Sequence, residues 1–322
     1  MKLIIQIPCY NEAQTLAITL QALPRQVPGF DAVEWLVIDD GSVDDTVKIA
    51  QEQGVDHIVR HTRNQGLARA FMTGLEACTT LGADVIVNTD ADNQYQADDI
   101  PLLTQPIIEH HADIVIGARP ISTIDEFSPL KKCLQKLGSW FVRQVSKTTI
   151  TDTTSGFRAI SREAAQQLVV FNEYTYTLET IIQAGQKNMA IVAVPIRVNT
   201  YLRPSRLVKS IPSYVRKSVI TILRTFIIYR PLRFFGSIST VFLTIGILFF
   251  SRYLYFFFIG EGAGHVQSVI VGSLSLGMGF QTLLIGFVAD LLAANRKLLE
   301  DIRYDLKRLP DTTKAEKSRD NK

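Results

Sequence analysis

Two long uncharged segments near the carboxyl end limit most strongly how this chain can fold. Residues 234–251 contain no charged side chain, and an aromatic stretch continues this run past Arg252 to residue 258. Residues 266–289 form a second uncharged run. As a helix, each run is long enough to cross a hydrocarbon core about 30 Å thick. We therefore predict a transmembrane hairpin over residues 234–292, with helices at 234–258 and 266–292.

The distribution of basic residues predicts the orientation of this hairpin. The link at residues 260–265 contains no lysine or arginine, whereas Arg230, Arg233, Arg296 and Lys297 flank the outer ends. Because basic residues favour the cytosolic side, both termini and the amino-terminal part are expected in the cytosol. The apolar run that begins the chain is too short for the core of a signal peptide. We expect an integral protein of the plasma membrane or of a bacterial inner membrane.

The segment before the hairpin is strongly basic. Residues 203–233 contain eight lysines or arginines and no acidic residue. Between residues 208 and 233, Arg216, Lys217 and Arg224 alternate with apolar residues at helical spacing, which predicts an amphipathic helix at the membrane surface. The net charge of +3 is too small to indicate a nucleic-acid partner.

The remaining carboxyl-terminal residues, 293–322, have the composition of a charged cytosolic tail. This tail carries an apolar stripe that would suit packing on the rest of the chain or on a second copy in a homo-oligomer. The stripe consists of Leu298, Ile302, Leu306 and Leu309. Arg252 lies near the outer end of the first run, where its side chain is expected to reach the interface; a polar site within the membrane is the alternative.

The amino-terminal part, residues 1–207, alternates apolar strand-like runs with segments of helical spacing. This alternation predicts an α/β domain with a mostly parallel sheet and helices on both faces. Strands are predicted at residues 2–8, 33–38, 57–60, 85–89, 113–117 and 191–198. Helices are predicted at residues 13–23, 44–53, 66–80, 98–110 and 173–186, with Ser42 and Asp45 resembling a capping box for the second of them.

Acidic residues follow two of the predicted strands directly. Asp39 and Asp40 end the second strand, and Asp90 and Asp92 follow the strand at residues 85–89. In open α/β folds, ligands bind at the carboxyl edge of the sheet, where these side chains would lie. Carboxylates gathered there would repel one another without a cation or sugar hydroxyls as a complement. Two carboxylates suit a hard divalent cation that carries a diphosphate, although an Asp-x-Asp spacing alone is common.

Five motifs stand in the order found in family 2 glycosyltransferases. They are PCYNE at residues 8–12, VIDDGSVDDT at 37–46, NQGLARA at 64–70, DADNQ at 90–94 and TSGFR at 154–158. The chain most resembles the polyprenyl-phosphate hexosyltransferases, a group that includes dolichyl-phosphate mannose synthase and bacterial undecaprenyl-phosphate glycosyltransferases. The resemblance covers about residues 1–210 and implies a GT-A fold, Rossmann-like in its sheet, that binds a nucleotide sugar.

This resemblance also implies roles for particular residues. The base and ribose of the nucleotide would be held by Pro8, Tyr10, Glu12 and Asp39. Asp90 corresponds to a further nucleotide-contacting aspartate, and Asp92 and Gln94 correspond to ligands of Mg²⁺ or Mn²⁺ on the diphosphate. A cation there would neutralise charge on the departing nucleoside diphosphate and so lower the barrier.

On the acceptor side, the resemblance implies that Arg119 and Lys131 face the phosphate of a lipid. Alanine at residue 118 replaces the serine that usually precedes this arginine. A basic element that would close over the diphosphate contains Arg203, Ser205 and Arg206. A solvated helix face is the structural alternative for the lysine.

The resemblance implies that Asp152, just before TSGFR, is an active-site carboxylate at the position that an inverting transferase would use for a general base. A turn-capping aspartate is its structural alternative. A phosphate monoester is already mostly ionised at pH 7. Orientation of the acceptor, or of lysine and arginine partners, is therefore the expected role of Asp152.

Together these features predict a membrane glycosyltransferase that moves a hexose from a UDP- or GDP-linked donor to a polyprenyl phosphate. One rival acts on a polysaccharide or a lipid-linked sugar. Processive synthases of this family carry a Gln-x-x-Arg-Trp element, and neither Trp35 nor Trp140 lies in one. A second rival is a non-catalytic scaffold that binds nucleotide sugars. The nucleotide and the hexose are not encoded by any single residue.

Overall fold

A computed structural model describes residues 1–120, 150, 152–170, 176–199, 220, 223–224 and 226–308. Several predicted features lie outside these residues: Lys131, the Arg203, Ser205 and Arg206 element, most of the basic amphipathic segment, and the tail beyond residue 308. The chain divides into two compact units, Met1–Ser218 and Val219–Lys322.

The first unit is built on a seven-stranded sheet in the order β3-β2-β1-β4-β6-β5-β7. Its strands are β1 Lys2–Cys9, β2 Ala32–Asp39, β3 His57–Arg60, β4 Val85–Asn88, β5 Ile114–Ala118, β6 Arg158–Ser161 and β7 Ile191–Pro195. Six of them coincide with predicted strands to within three residues at each end. Parallel pairs join β1 to β2, β1 to β4, β2 to β3 and β5 to β7, so the mostly parallel sheet is confirmed.

The strand β6 is the one that the sequence pattern did not predict. It lies antiparallel between β4 and β5, and Arg158 pairs with Asn88 on one side and Ile116 on the other. With only four residues, it is too short to show a period of its own. Because β6 runs against its neighbours, the loop that precedes it lies at the edge where β4 and β5 end.

Helices cover both faces of this sheet, as predicted. They are α1 Leu16–Ala22, α2 Thr46–Glu52, α3 Leu67–Thr80, α4 Ile100–Ile108, α5 Arg162–Gln167 and α6 Thr177–Gln186. Leu3, Ile5 and Ile7 of β1 belong to the same buried cluster as apolar residues of α1 and α4. Gln6, between them on the opposite face, lies against α3. Since both faces are covered, β1 is apolar almost throughout, as is typical of buried parallel strands.

The helix α3 approaches the sheet closely at Gly74. A Cβ atom at this position would lie 2.4 Å from Gln6 Oε1 and 2.8 Å from Ile38 Cδ1. The Gln6 amide is itself fixed, because its Nε2 donates to Asn88 Oδ1 at 2.8 Å. The glycine therefore lets the helix pack directly on a buried hydrogen bond.

The described part of the second unit contains two long helices, α7 Pro231–Phe258 and α8 Val266–Arg308. Both are long and apolar enough to cross a membrane, and only 11% and 22% of their most apolar windows are buried. A core helix of a soluble protein would be mostly buried, so this exposure agrees with contact to lipid. With 43 residues, α8 is about 65 Å long and continues beyond residue 292, the predicted end of the transmembrane segment, into the charged tail.

The two long helices pack through small residues. Gly246 contacts Leu276, Gly279 contacts Leu243, and Ser239 Oγ donates to the Gly279 carbonyl at 2.7 Å. Small residues and hydroxyl groups of this kind allow helices to approach closely within lipid. On the extension of α8, Leu298, Ile302 and Leu306 are exposed within the described part of the chain.

Substituting Gly74 by alanine tests the close packing of α3. In an exposed helix this change would stabilise by about 1 kcal/mol. Here we expect net destabilisation, because the overlap with Gln6 costs about 1–3 kcal/mol. A lower midpoint of thermal unfolding in the purified full chain is the expected result. A raised midpoint would show that helix propensity outweighs packing at this position.

Candidate active site

The polar residues of the candidate site lie in loops at one edge of the sheet. Because β1, β2 and β4 are parallel neighbours, the segments that follow Cys9, Asp39 and Asn88 emerge side by side. β5 ends at the same edge just before Arg119, and the loop that leads into β6 contributes Asp152. The described candidates are thus brought to one edge, where open α/β folds bind ligands.

Hydrogen bonds join the loops after β1 and β2. The Asn11 N–H donates to Ser42 Oγ at 2.9 Å, and the Val43 N–H donates to Asn11 Oδ1 at 2.9 Å. The Glu12 N–H donates to Thr46 Oγ1, also at 2.9 Å. Asn11 has a φ of 54°, a left-handed conformation that asparagine adopts more readily than most residues. These contacts place Tyr10 and Glu12 beside the DDGS turn.

The capping box predicted from Ser42 and Asp45 was wrong. The helix α2 has Asp45 at its N-cap without a side-chain hydrogen bond. Ser42 instead accepts from the neighbouring loop, and Asp44 Oδ1 accepts from the Thr46 N–H at 3.1 Å. The Ser42 hydroxyl accepts a hydrogen bond from Asn11 in the loop after β1, and it does not cap α2.

Asp39 and Asp40 are both buried, and they have different partners. Asp39 Oδ1 accepts from the Ser42 N–H at 2.9 Å, while its Oδ2 lies 3.0 Å from Arg60 Nε without the geometry of a hydrogen bond. Asp40 accepts from the backbone N–H groups of Gln65 and Gly66, just before α3. Asp40 therefore holds the NQGLARA segment in place, and Asp39 retains a buried acceptor oxygen.

The DADNQ turn follows β4 and contains the candidate metal ligands. Asp92 Oδ1 accepts from the Gln94 N–H at 3.1 Å, and Asn93 between them has a φ of 55°. The side chains of Asp90, Asp92 and Gln94 are all half-buried. The turn thus presents two carboxylates and an amide from five consecutive residues.

The surroundings of Asp90 raise the pKa of its carboxyl group above the ordinary value. Burial, and next the negative charge of Asp92, raise the pKa of Asp90 to about 7, and Glu12 acts in the same direction. The positive charge of Arg119 acts in the opposite direction on this pKa. A buried carboxyl group next to another negative charge ionises reluctantly.

This donor set fits a hard divalent cation. Mg²⁺ in nucleotide enzymes is commonly bound through one or two carboxylates, with substrate phosphates and water completing its shell. Asp92 and Gln94 supply oxygen donors, and the neighbouring carboxylate of Asp90 adds negative charge that a cation would offset. No cluster of three or more His, Cys, Asp or Glu side chains suited to a metal occurs among the described residues. Water and a bound substrate would have to supply the remaining ligands of a cation at this turn.

Arg119 and Asp152 form a paired unit at the end of β5. Arg119 Nε and Nη2 donate to the two carboxylate oxygens of Asp152 at 2.8 and 3.1 Å. Thr154 Oγ1 also donates to Asp152 Oδ1 at 3.0 Å, and the Thr154 N–H lies 3.3 Å from the same oxygen. Both oxygens of Asp152 are therefore engaged by donors. Such a carboxylate is poorly placed to accept a proton from a substrate.

The pKa of Asp152 agrees with this geometry. Burial alone would raise it, but the hydrogen bonds and charge of Arg119 outweigh burial and lower the pKa below its ordinary value. The side chains are only 11% and 1% exposed for Arg119 and Asp152 respectively. A bidentate pair this well shielded fixes the guanidinium in one orientation.

A buried polar network beneath the site was not predicted from the sequence. Asn88 Nδ2 donates to the Gly156 carbonyl at 2.8 Å and to the Tyr176 hydroxyl at 3.0 Å. The Gly156 N–H donates to the Tyr95 hydroxyl at 3.0 Å. A Cβ atom on Gly156 would lie 3.0 Å from Asp90 Oδ1, so glycine is needed where this loop passes the carboxylate. In the sequence, this network is indicated only by Asn88, a polar residue at the end of an apolar strand.

Arg158 supports the loop at residues 153–157 from its buried side. It is 1% exposed, and its guanidinium donates to the carbonyls of Ser155 and Thr153 and to Thr180 Oγ1. Burial lowers the pKa of this arginine. The TSGFR motif therefore contains a structural arginine that holds the turn between Asp152 and β6.

Three other predicted residues, Pro8, Tyr10 and Glu12, lie at the end of β1 and in the loop that follows it. Pro8 is buried within β1 and pairs with Ile38, whereas Tyr10 is 43% exposed at the edge of the sheet. Glu12 is half-buried, and its Oε2 accepts from Thr15 Oγ1 at 3.1 Å. Lys131, Arg203, Ser205 and Arg206 lie outside the described residues, so their predicted contacts stay predictions.

The sheet order, the acidic turn and the antiparallel β6 define a GT-A-like glycosyltransferase domain. The chain belongs to glycosyl transferase family 2, whose family model matches residues 4–169.

Two curated relatives have names that refer to polyprenyl-type phosphates. The chain is 32% identical over 213 residues to UDP-N-acetylglucosamine–dolichyl-phosphate N-acetylglucosaminyltransferase of Methanococcus voltae, an alignment that covers 59% of this chain and 83% of that protein. It is 30% identical over 207 residues to undecaprenyl-phosphate mannosyltransferase of Micrococcus luteus, with 61% and 83% covered.

A solved structure shares the fold. Glucosyl-3-phosphoglycerate synthase from Mycobacterium tuberculosis, in complex with Mn²⁺, UDP and phosphoglyceric acid, superimposes with a TM-score of 0.56 at 20% identity. The match covers 70% of this chain and 78% of that one. At this identity the similarity confirms the GT-A fold and carries no conclusion about substrates.

The ion pair of Asp152 should make the fold sensitive to acid. Because its folded pKa is lowered, the pair stabilises above the unfolded pKa of about 3.9, and this contribution is lost as pH falls through the folded pKa. We expect Asp152→Asn to lower the free energy of unfolding at pH 7 by about 3–5 kcal/mol, since a shielded arginine loses its partner.

The matched control for this prediction is Glu52→Gln, which removes a solvent-exposed partner of Lys48. Its effect should stay within about 0.5 kcal/mol. Thermal unfolding would be followed from pH 7 to pH 3. The gap between wild type and Asp152→Asn should narrow below about pH 4. A gap that is constant with pH would contradict the ion-pair account.

Proposed function

We propose that this protein transfers a hexose from a nucleoside diphosphate sugar to a polyprenyl phosphate at the cytosolic face of a membrane. The observation that carries the proposal is the meeting, at one sheet edge, of the DADNQ turn with the Arg119–Asp152 pair. The turn suits a cation and a diphosphate, and the pair suits an anionic acceptor. The same chain contains two helices able to cross a membrane, and relatives are named for polyprenyl-type acceptors.

In the donor half of the site, the loops after β1 and β2 would hold the nucleoside. The buried Oδ2 of Asp39 lacks a hydrogen bond among the described residues, and a ribose hydroxyl is a donor that could satisfy it. Pro8, Tyr10 and Glu12 border the same region and would shape the site for the base. Arg203, Ser205 and Arg206 would contact the diphosphate, as the family resemblance implies.

A divalent cation, Mg²⁺ or Mn²⁺, would be held by Asp92 and Gln94 next to Asp90. Bound there, it would neutralise the charge that develops on the departing nucleoside diphosphate. The protein's own contribution is to fix the two ligands in a tight turn before any substrate binds. Preorganised charge of this kind costs no rearrangement during the reaction.

In the acceptor half, Arg119 would position the lipid phosphate, with Lys131 as a second cation. A phosphate oxygen attacks C1 of the hexose on the face opposite the nucleoside diphosphate. The new C1–O bond forms as the C1–O bond to the nucleoside diphosphate breaks. The electron pair of the breaking bond leaves with the diphosphate. The configuration at C1 is therefore inverted.

No proton has to be removed from the acceptor in this reaction. The second pKa of a phosphate monoester is near 6, so the attacking oxygen is already mostly ionised at pH 7. Asp152 has both oxygens occupied by Arg119 and Thr154 and a lowered pKa. Its role is to orient Arg119 toward the acceptor.

Two alternatives make different predictions. A transferase that extends a polysaccharide or a lipid-linked sugar would need a base for a neutral hydroxyl, and the described carboxylates offer Asp90 rather than Asp152 for that task. A non-catalytic scaffold would bind the donor without turnover. The engaged state of Asp152 favours the phosphate acceptor over the first alternative.

The proposal is tested by incubating the purified protein in lipid nanodiscs with polyprenyl phosphate, Mn²⁺ and a panel of radiolabelled UDP- and GDP-hexoses. We expect label in the organic extract with at least one donor, and a loss of at least about 100-fold for Asp92→Asn at an unchanged unfolding midpoint. A neutral polyprenol and a lipid-linked disaccharide serve as competing acceptors. Transfer to these alone, or to none, would reject the proposal.

The assigned role of Asp152 predicts a particular pH profile. Asp152→Asn should lower the transfer rate about 10- to 100-fold through misorientation of Arg119. The acidic limb of the rate profile should stay near pH 6 in both proteins, because it reports ionisation of the acceptor phosphate. Loss of that limb in the variant would make Asp152 a general base.

A further inference from the structure

A three-residue segment after β7 lies along the DADNQ turn. Val198 forms an antiparallel bridge with Tyr95, and the Gln96 N–H donates to the Arg197 carbonyl at 3.4 Å. The segment Arg197–Asn199 is far from the turn in sequence and carries none of the roles described above. We call these three residues the brace.

Asn199 alone satisfies three consecutive carbonyl groups of the turn. Its backbone N–H donates to the Gln94 carbonyl at 2.8 Å. Its side-chain Nδ2 donates to the carbonyl of Asn93 at 2.9 Å and to that of Tyr95 at 3.3 Å. The two peptide planes that flank Gln94 are therefore both held by one residue.

These contacts determine where the Gln94 side chain points. The orientation of the peptide planes on either side of a residue sets its φ and ψ, and hence the direction of its Cα–Cβ bond. The third constraint comes from within the turn, since the Gln94 N–H donates to Asp92 Oδ1. Asn199 and Asp92 together leave Gln94 little freedom.

Arg197 anchors the brace to the fold. Its Nε and Nη2 donate to Asp99 Oδ1 at 2.9 and 2.6 Å, and its backbone N–H donates to Asp99 Oδ2 at 2.7 Å. The Asp99 side chain is 2% exposed, whereas that of Arg197 is 65% exposed. Asp99 directly precedes α4, so the brace is tied to the helix on the far side of the turn.

We propose that Asn199 and Arg197 are positioning residues that set the affinity of the Asp92–Gln94 turn for a divalent cation. The inference rests on the proposed function of this turn. Neither residue touches the cation; each acts through the backbone of residues 93–99. Groups that orient metal ligands in this way typically change metal affinity by about 10- to 100-fold when they are removed.

The experiment measures Mn²⁺ binding directly, without turnover. Full-length protein in detergent is titrated with Mn²⁺ in the presence of UDP, and separately of GDP, and free Mn²⁺ is counted by electron paramagnetic resonance. Asn199→Ala removes the side-chain donor and keeps the backbone N–H. Asn199→Asp keeps the shape but turns a carboxylate toward two carbonyls, and should therefore weaken binding further.

We expect Asn199→Ala to raise the Mn²⁺ dissociation constant at least about tenfold, with Arg197→Ala in the same direction and Arg197→Lys in between. At saturating Mn²⁺ the transfer rate of Asn199→Ala should largely recover. The matched control is Gln105→Ala, an exposed amide on α4 that donates only to Glu109 among the described residues. Its Mn²⁺ affinity should equal that of wild type.

The outcomes separate this inference from the proposed function. If wild type shows no Mn²⁺ binding that Asp92→Asn abolishes, the proposed metal site itself fails. If that binding exists and the Asn199 variants bind Mn²⁺ as wild type does, the positioning role is overturned, whatever their thermal stability. A lower unfolding midpoint with unchanged Mn²⁺ affinity would make the brace structural only. Should Asn199→Asp fail to fold, Asn199→Ala and Arg197→Lys still decide the question.

Discussion

Repulsion among carboxylates gathered at one edge of a sheet is the constraint on which the rest of the site depends. Three parallel strands end there, and each is followed by acidic residues. Asp40 and Asp152 are stabilised within the protein, the first by backbone N–H groups and His61, the second by Arg119. Burial and the negative charge of Asp92 raise the pKa of Asp90, although Arg119 and a hydrogen bond with Tyr95 act in the opposite direction. A cation bound beside Asp90 and Asp92 would offset this repulsion.

Because carboxylates at this edge repel one another, the surrounding backbone has to be held firmly, and this explains the glycine and polar residues around the DADNQ turn. Gly156 leaves room beside Asp90, and Tyr95 and Asn88 fix the backbone of Gly156 from two sides. Arg158 holds the next turn of the chain through three hydrogen bonds. A buried network in which the members are satisfied is rigid, and rigidity is what a site needs if its charges are to remain close together.

Much of this fold follows from the sequence because buried parallel strands leave a strong signal. The apolar runs predicted the strands β1, β2 and β4. The acidic residues that follow these runs predicted which edge of the sheet carries the candidate site. The strand β6 could not be predicted in this way, because four residues with Arg158 at the start show no alternation. The failed capping box at Ser42 has a related cause, since a local pattern cannot reveal that Asn11 competes for the same hydroxyl. Contacts such as those of Asn199 with residues 93–95 depend on a tertiary pairing that no local pattern encodes.

In the proposed reaction, the donor and acceptor halves of the site place different demands on the chain. Activation of a leaving group requires ligands held to within about 0.5 Å. In the proposed site, the strand ends, the tight turn and the brace would hold the ligands in this way. Recognition of a lipid phosphate requires positive charge near a membrane, which a flexible or interfacial segment can provide without such accuracy. Arg119 is the residue where these demands meet, because it is fixed by Asp152 and yet acts electrostatically on Asp90. A change at Arg119 would therefore alter both the orientation of the acceptor and the charge balance of the donor turn.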